Sequence, residues 1–425
     1  MARILAYTSP ARGHLYPLIP ILDELSKRGH DIILRTLASQ LNLSRAHGFD
    51  ADPIDSRIEA MPHDDYKARS ARGGLERAVS MFSARAEYDG PDLQKAIMRT
   101  EPDAVIVDVN CWGAVATAEA WGGPWATYCP YPLALTSRDA PPFGPGLPPA
   151  RGPLGKLRDL ALKPLFVGTF ERTMLPPINK VRKQLGLDPV SSADDMFGRP
   201  PLLLYLTAEP FEYPRSDWPP NVVMVGPCAW DPPAETPDWL TKIERPIVLV
   251  TTSSEFQNDG RLIQAALDAF SEENVHLIAT LPSQDSAAFH TPANASLIPF
   301  LPHVLVLDRA VCAITHGGMG ATQKALLHGV PVCAVPFGRD QLEVARRVEV
   351  ARAGTRLPAS RLTPERLRAK VREAMACIDG AVEYPKDSRQ RAGLSLLPLP
   401  LRRGCWTFLR ISHANCLKGI QLDAL

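Results

Sequence analysis

Three stretches of this chain carry residues whose types suit proton transfer and anion binding. His14 can take a proton near neutral pH, because an imidazole has an ordinary pKa of about 6.5. Thr315–Thr322 reads THGGMGAT, and its glycines allow backbone N–H groups to approach an anion closely. Asp340 and Gln341 then offer a hydrogen-bond acceptor and an amide to sugar hydroxyls. A diphosphate site beside a sugar clamp makes nucleotide-sugar chemistry the leading hypothesis.

The elements around the glycine segment are predicted from apolar runs and helix boundaries. Val304–Leu307 and Ala310–Ile314 are interpreted as buried strands, and Ala321–Leu327 as the helix that follows. Gly329 stands where a C-cap is expected and Pro331 lies just beyond it. The N-terminus of this helix therefore lies at the glycines, where its dipole favours a phosphate. An ordinary glycine-rich turn of a Rossmann-like domain is the alternative interpretation.

A second strand-to-helix turn holds His14. Arg3–Tyr7 is predicted as the first strand, and the carboxyl end of a parallel strand is where open α/β sheets bind ligands. Ala104–Val107 is another predicted strand, and Asp108 follows it directly. A buried carboxylate stabilises an imidazolium, so we expect a His14–Asp108 dyad with the histidine as general base. The alternatives are a structural histidine and an Asp108 that caps the helix before Trp112.

Hydroxyl side chains follow the first strand predicted in the second half of the chain. Ile247–Val250 is that strand, and Thr251–Ser254 comes directly after it. These hydroxyls lie where a phosphate contact is possible. A turn that caps the predicted helix Arg261–Phe270 is the alternative.

The quoted motifs together resemble those of a known enzyme family. His316 to Gly320, then Gly-Val-Pro ending at Pro331, then Asp340-Gln341, resemble the donor signature of the inverting glycosyltransferases of GT-B fold that decorate natural products, especially the bacterial macrolide and antibiotic type. The Gly-His-x-x-Pro pattern of Gly13 to Pro17 is similar to the catalytic histidine motif of that family. The resemblance implies two Rossmann-like α/β domains that face each other across a cleft.

The resemblance also implies roles for individual residues. His14 and Asp108 are expected to be catalytic. The residues expected to bind the donor are Thr251, Ser254, Leu301, His316, Gly317, Gly318, Gly320, Ala321, Asp340 and Gln341. One position departs from the family, because many relatives have a Glu that holds the ribose hydroxyls where this chain has Lys324.

Composition excludes several other classes of function. A net charge of +1 over 425 residues, without a basic stripe, argues against nucleic-acid binding. The eight cysteines are scattered in apolar runs, and no segment is apolar for long enough to span a bilayer, so we expect a cytoplasmic protein without a membrane partner. No cofactor and no metal site are expected. The sequence Asp50-Ala51-Asp52 could suggest a metal–diphosphate site, but it is predicted to lie in a loop of the wrong half.

Four segments are predicted along the chain. Residues 1–208 form an acceptor-binding domain, 209–234 a proline-rich linker, 235–385 a nucleotide-sugar-binding domain and 386–425 an atypical tail. Leu202–Leu206 is predicted to be the last strand of the first domain. Pro141–Pro149 is expected to form a loop over the acceptor side, where Trp112, Tyr131 and Phe143 are candidates to line the pocket. The tail from Tyr384 lacks helical periodicity, so the resemblance covers about residues 1 to 380.

The leading hypothesis is an inverting glycosyltransferase that needs no metal. It would transfer a sugar from a dTDP- or UDP-sugar to a hydroxyl of a small apolar aglycone such as a polyketide. The alternatives are a nucleotide-sugar epimerase of the same architecture and a non-catalytic protein that binds a nucleotide-sugar.

Overall fold

The computed structural model describes residues 1–391, 396–401, 405–411 and 420–424. The first half of the chain builds a seven-stranded parallel sheet in the order β3-β2-β1-β4-β5-β6-β7. Its strands are β1 Arg3–Tyr7, β2 Asp31–Thr36, β3 Asp50–Pro53, β4 Ala104–Asp108, β5 Trp125–Cys129, β6 Leu203–Tyr205 and β7 Val222–Met224. The central strands are almost continuously buried because helices cover both faces.

Eight α-helices accompany this sheet in the described chain. They are α1 Arg12–Leu15, α2 Ile19–Lys27, α3 Leu41–Ala46, α4 Ser56–Glu59, α5 Ala71–Thr100, α6 Trp112–Trp121, α7 Gly152–Gln184 and α8 Ala193–Gly198. Strand β1 pairs with β2 on one side and with β4 on the other, so the strand order reverses between β1 and β4. The loops that leave these two strands therefore diverge and open a crevice at the carboxyl edge.

The second half repeats this plan with a six-stranded parallel sheet in the order β10-β9-β8-β11-β12-β13. Its strands are β8 Ile247–Thr251, β9 His276–Thr280, β10 Ala295–Ile298, β11 Ala310–Thr315, β12 Val332–Ala334 and β13 Gly354–Arg356. Its helices are α9 Asp238–Thr241, α10 Gly260–Phe270, α11 Val304–Leu307, α12 Met319–Leu327, α13 Gln341–Val350, α14 Pro364–Met375 and α15 Ile378–Arg391. The order reverses between β8 and β11, which places a second crevice there.

Three expectations about local structure were wrong. Val304–Leu307 is a single helical turn, because Pro302 and His303 begin it and the Val304 N–H is bound by the carboxylate of Asp231 at 3.1 Å. Asp50–Pro53 is an edge strand, not a loop, since it pairs in parallel with β2. The first sheet does not end at Leu202–Leu206, because β7 adds a short strand from within the predicted linker.

The two halves are joined through buried polar contacts. Arg347 of α13 makes hydrogen bonds of 2.9 to 3.2 Å with the carboxylate of Glu212, and both side chains are almost fully buried. Gln323 of α12 accepts from the Thr207 hydroxyl at 2.7 Å and donates to the Leu206 carbonyl at 3.1 Å. Since a buried charge is stable only when it is paired, these contacts hold the lobes in one arrangement.

The C-terminal segment continues past the expected end of helical structure. α15 runs to Arg391, and Tyr384 within it packs edge-on against Phe211 of the first half, with ring centroids 6.3 Å apart. This packing, and not sequence periodicity, explains the helix. The predicted tail also contains strands Leu396–Leu401, Cys405–Ile411 and Ile420–Ala424, which form an antiparallel sheet. Tail residues 392–395, 402–404, 412–419 and 425 lie outside the described residues. None of the helices in the described chain is long and apolar enough to cross a membrane.

Candidate active site

A histidine and an aspartate meet at the crevice of the first sheet. His14 lies in α1, directly after β1, and Asp108 is the last residue of the neighbouring strand β4. Nδ1 of His14 lies 2.7 Å from Oδ2 of Asp108, so the predicted dyad has hydrogen-bond geometry. Ser9 donates to the same oxygen through its hydroxyl at 2.8 Å and its backbone N–H at 3.2 Å. The ring is thus held by Nδ1, and the amide nitrogen of Asn110 lies 3.5 Å from Nε2.

The surroundings keep Asp108 ionised and strengthen the imidazole as a base. Burial lowers the pKa of His14, but the charge and hydrogen bond of Asp108 outweigh it and the pKa is raised above 6.5. Burial raises the pKa of Asp108, but the charge and hydrogen bond of His14 lower it by more, so the pKa lies below its usual value. Only 17% of the His14 side chain and none of the Asp108 side chain is exposed. A shielded imidazole–carboxylate pair of this kind can accept and hold a proton.

The glycine segment forms an anion-binding turn at the crevice of the second sheet. Gly317 adopts a φ of +88°, and its N–H donates to the Thr315 hydroxyl at 3.2 Å. Gly318 is the N-cap of α12, so the free N–H groups of that helix point into the cleft. A Cβ at Gly318 would lie 2.5 Å from Nε2 of His316, which shows how closely the imidazole covers the turn. Burial lowers the pKa of His316 below its ordinary value, which favours the neutral form of the ring.

Asp340 and Gln341 lie at the N-terminus of α13, after the loop that leaves β12, and line the same cleft. Oε1 of Gln341 accepts from the N–H groups of Phe337 at 2.7 Å and Gly338 at 3.1 Å, and its amide nitrogen donates to Gln257 at 2.6 Å. Burial raises the pKa of Asp340, while the positive charge of His14 opposes that rise. The carboxylate of Asp340 in turn raises the pKa of His14. The predicted sugar clamp of one lobe and the predicted base of the other line one cleft.

The remaining predicted donor residues surround the glycine turn. Thr251, Ser254, Leu301 and Ala321 all line the cleft. Lys324, at the position of the family departure, lies 2.5 Å from the Asp231 carboxylate and donates to the Trp230 carbonyl at 3.0 Å. Its ammonium is therefore tied to the segment that connects the lobes.

An apolar pocket opens on the first-lobe side of the cleft. The whole cleft encloses about 1490 Å³, and the predicted acceptor residues Trp112, Tyr131 and Phe143 line it. Phe82 packs on Trp112 with ring centroids 5.4 Å apart, and Phe170 packs on Phe143 at 6.2 Å. The loop 141–149 covers this side because the Gly144 and Gly146 N–H groups each donate to Glu343 of α13 at 2.8 Å. Aromatic walls of this size suit a large apolar ligand.

The structure brings nearly all the predicted site residues to one cavity. Of the fifteen, only Asp108 and Gly317 do not line the cleft. Asp108 lies behind His14. Gly317 lies behind Gln341, because a Cβ at position 317 would be only 3.1 Å from that residue. The cleft also contains polar residues that the sequence did not single out, namely His63, Asp65, Arg85, Glu255 and Arg339.

Some of these additional residues join the lobes over the cleft. Arg339 donates to both oxygens of Asp65, at 2.6 and 2.7 Å, across 274 residues of sequence. The rings of Tyr66 and Phe256 meet edge-on beside this pair, with centroids 5.1 Å apart. We refer to Asp65, Tyr66, Phe256 and Arg339 as the inter-lobe clasp. In the sequence, only the position of Arg339 next to Asp340 indicated that a residue of this clasp lies near the site.

Sequence comparison identifies relatives over most of the chain. Residues 264–392 match the family described as erythromycin biosynthesis protein CIII-like, C-terminal domain. The chain is 31% identical over 391 residues to 4'-demethylrebeccamycin synthase of Lentzea aerocolonigenes. The aligned segment covers 88% of this chain and 92% of that protein. It is 24% identical over 423 residues to demethyllactenocin mycarosyltransferase of Streptomyces fradiae, covering 95% of this chain and 84% of that protein.

Solved structures share the fold. The glycotransferase of kitacinnamycin superposes with a TM-score of 0.71 at 22% identity, covering 92% of this chain and 96% of that one. Glycosyltransferase VinC, solved in complex with dTDP, superposes with a TM-score of 0.63 at 20% identity, covering 91% of this chain and 95% of that one. The predicted fold of two α/β domains facing across a cleft is confirmed.

Proposed function

Because the chain belongs to the antibiotic-type glycosyltransferases of GT-B fold, we propose that it transfers a sugar, with inversion, from a dTDP- or UDP-sugar to a hydroxyl of a small apolar aglycone. One observation carries this proposal. His14, paired with Asp108, faces the same cleft as Asp340 and the glycine turn at His316. An attacking oxygen held at the first lobe can therefore reach a sugar carbon held at the second.

His14 acts as the general base in this reaction. The acceptor O–H bond breaks as its proton moves to Nε2 of His14, and the oxygen forms the new bond to C1 of the sugar. The bond between C1 and the diphosphate oxygen breaks, and its electron pair leaves with the nucleotide. Asp108 stabilises the imidazolium until the proton passes to solvent. A single displacement of this kind inverts the configuration at C1.

The leaving diphosphate is stabilised by the second lobe. Negative charge develops on it as the C1–O bond lengthens, and preorganised donors are most effective where charge develops. In this proposal the stabilising groups are the N–H groups at the start of α12, the hydroxyls of Thr251 and Ser254, and the His316 imidazole, which line the same cleft. A bound diphosphate would raise the pKa of His316, which burial lowers in the free protein, and so make it a donor. These groups supply the stabilisation without calling on a metal.

The pocket supports an apolar acceptor. Aromatic side chains line its first-lobe side, and the loop 141–149 closes over them. Asp340 and Gln341 hold hydroxyls of the donor sugar in this proposal, while Leu301 packs against the nucleobase. Lys324 and Asp231 lie where the ribose contact is expected, so this part of the site sets the preference between dTDP and UDP.

The test is a transfer assay with a panel of dTDP- and UDP-sugars and a mixed library of apolar aglycones, followed by mass spectrometry for a hexose or deoxyhexose increment. His14→Ala should lose transfer by roughly two orders of magnitude or more while binding of the donor nucleotide is unchanged. His290→Ala removes an exposed histidine outside the cleft and serves as the matched control. Near-normal turnover by His14→Ala would contradict the base assignment.

Two other outcomes would point to different functions. A changed nucleotide-sugar formed without any acceptor would indicate an epimerase. Nucleotide binding without transfer to any aglycone in the library would indicate a non-catalytic binding protein.

A further inference from the structure

Asn110 lies beside the proposed base without an assigned role. It follows Asp108 by two residues, and its backbone N–H donates to Oδ1 of that carboxylate at 2.9 Å. The Tyr131 hydroxyl donates to Oδ1 of Asn110 at 2.7 Å. The amide nitrogen of Asn110 lies 3.5 Å from Nε2 of His14, and all these side chains except Asp108 line the cleft.

The orientation of the Asn110 amide follows from its neighbours. Nδ1 of His14 donates to Asp108, so Nε2 of the neutral ring carries a lone pair. If the amide were reversed, Oδ1 of Asn110 would meet that lone pair and two acceptors would face each other. The phenol of Tyr131 can donate to Oδ1 only in the orientation observed. An N–H donor is therefore held next to the ring atom that receives the proton.

We propose that Asn110 orients the acceptor hydroxyl for attack and that Tyr131 is the positioning residue that sets the Asn110 amide. This inference rests on the proposed function. Two nitrogens 3.5 Å apart can both lie within about 3 Å of one oxygen. The hydroxyl oxygen accepts from Nδ2 of Asn110 and gives its proton to Nε2 of His14. Its other lone pair then points away from both nitrogens, into the cleft, and forms the bond to C1.

Tyr131 also packs on the base itself. The rings of His14 and Tyr131 lie with centroids 5.8 Å apart, so the phenol fixes both partners of the acceptor hydroxyl. The Tyr131 side chain reaches this place from the loop after β5, which makes it a link between the apolar pocket and the reacting atoms. A loss of its hydroxyl alone should leave the ring packing in place and free only the amide.

The experiment uses the donor and aglycone that give the highest turnover in the panel. Asn110→Ala should lower kcat for transfer by roughly 10- to 100-fold, with the donor KM unchanged, because the attacking oxygen loses its orientation. Asn110→Asp keeps the side-chain size but removes the donor, so it should lose a similar factor. Tyr131→Phe should lose a smaller factor. If Tyr131 acts through Asn110, the double variant Asn110→Ala/Tyr131→Phe should be no slower than Asn110→Ala.

Controls separate this inference from the function on which it rests. Asn179→Ala removes an amide that binds the backbone of Val190; neither residue lines the cleft, so this variant should keep wild-type kcat. If His14→Ala is inactive while Asn110→Ala keeps kcat within twofold, the inference fails and the proposed function stands. Fully additive losses at Asn110 and Tyr131 would also overturn it. Normal turnover by His14→Ala would instead refute the proposed function.

A ligand-free measurement completes the test. In a ¹⁵N-histidine-labelled sample, the Nε2 resonance of neutral His14 should shift in Asn110→Ala and in the same direction but less in Tyr131→Phe, because the first variant removes the donor and the second only frees it. An unchanged Nε2 resonance in both variants would overturn the inference even in the absence of any turnover.

Discussion

Replacement of Asp108 by Asn tests the proposed dyad with almost no change in shape. The carboxylate accepts five hydrogen bonds. Oδ2 accepts from Nδ1 of His14 at 2.7 Å, from the hydroxyl and N–H of Ser9 at 2.8 and 3.2 Å, and from the Tyr128 hydroxyl at 3.2 Å. Oδ1 accepts from the Asn110 N–H at 2.9 Å. An asparagine has only one oxygen to offer in place of these two.

Either orientation of the new amide disrupts the site. If its NH₂ faces His14, the ring must accept at Nδ1 and carry its proton on Nε2, where it cannot take one from the acceptor. If its oxygen faces His14, the NH₂ group meets the backbone N–H of Asn110. The imidazolium also loses the charge that stabilises it. A hydrogen bond to a charged group contributes about 1.5 to 3 kcal/mol, which corresponds to roughly a 10- to 160-fold loss in kcat.

The pH profile gives a second, independent readout. The base must be neutral, so kcat/KM falls as the pH decreases through the pKa of His14. Asp108 raises that pKa above 6.5 in the wild type. Asp108→Asn removes the charge, so the acidic limb of kcat/KM should move to lower pH while the plateau also falls.

The assay is initial-rate transfer measured across the acidic range, with Asp268→Asn, an exposed helical position, as the matched control. Circular dichroism of each variant verifies folding. A plateau within threefold of wild type, or an acidic limb that stays in place, would refute the claim that Asp108 orients and stabilises the His14 imidazole.

Three further outcomes are expected. Wild-type kcat/KM should lose activity on acidification with an apparent pKa above 6.5, assigned to His14, as a pH series of rates would show; a limb below 6.5 contradicts this. Gly317→Ala should weaken dTDP binding by roughly tenfold in calorimetry, because φ at this position is +88° and the new Cβ would lie 3.1 Å from Gln341. An unchanged affinity for dTDP would contradict the role of the glycine turn in binding. Asp65→Asn should couple to Arg339→Lys by about 1 kcal/mol in thermal unfolding, since the bidentate pair is only partly exposed; strict additivity would show that the pair does not stabilise the contact between the lobes.

Much of the fold could be predicted from local patterns. Strand β1 at Arg3–Tyr7 and strand β8 at Ile247–Thr251 are apolar runs of the length that buried parallel strands require. α12 was predicted from its glycines and from Gly329. The strand prediction for Val304–Leu307 was wrong because four consecutive apolar residues occur equally well in a strand and in a single helical turn. The short strand β7 carries too few residues to show any period.

The candidate site was predictable only as separate pieces. Asp108 ends a strand that the sequence marks, and His14, the glycine turn and Asp340 follow such strands; parallel sheets place these strand ends along one edge. Arg339 was missed because an arginine in a loop carries no sign of its partner. Lys324 could be recognised as a departure from the family, but nothing local indicated that Asp231 would bind it.

The amino-acid sequence by itself determined the two strand–turn–helix units and the chemical groups they present. Those features depend on periodicity, glycine and proline positions, and helix capping, all of which act over a few residues. Only the tertiary structure decided that His14 and Asp340 line one cleft, that Arg339 binds Asp65 and that the Tyr131 hydroxyl binds Asn110 beside His14. These contacts join distant segments, so they depend on how the two lobes pack and not on any local pattern.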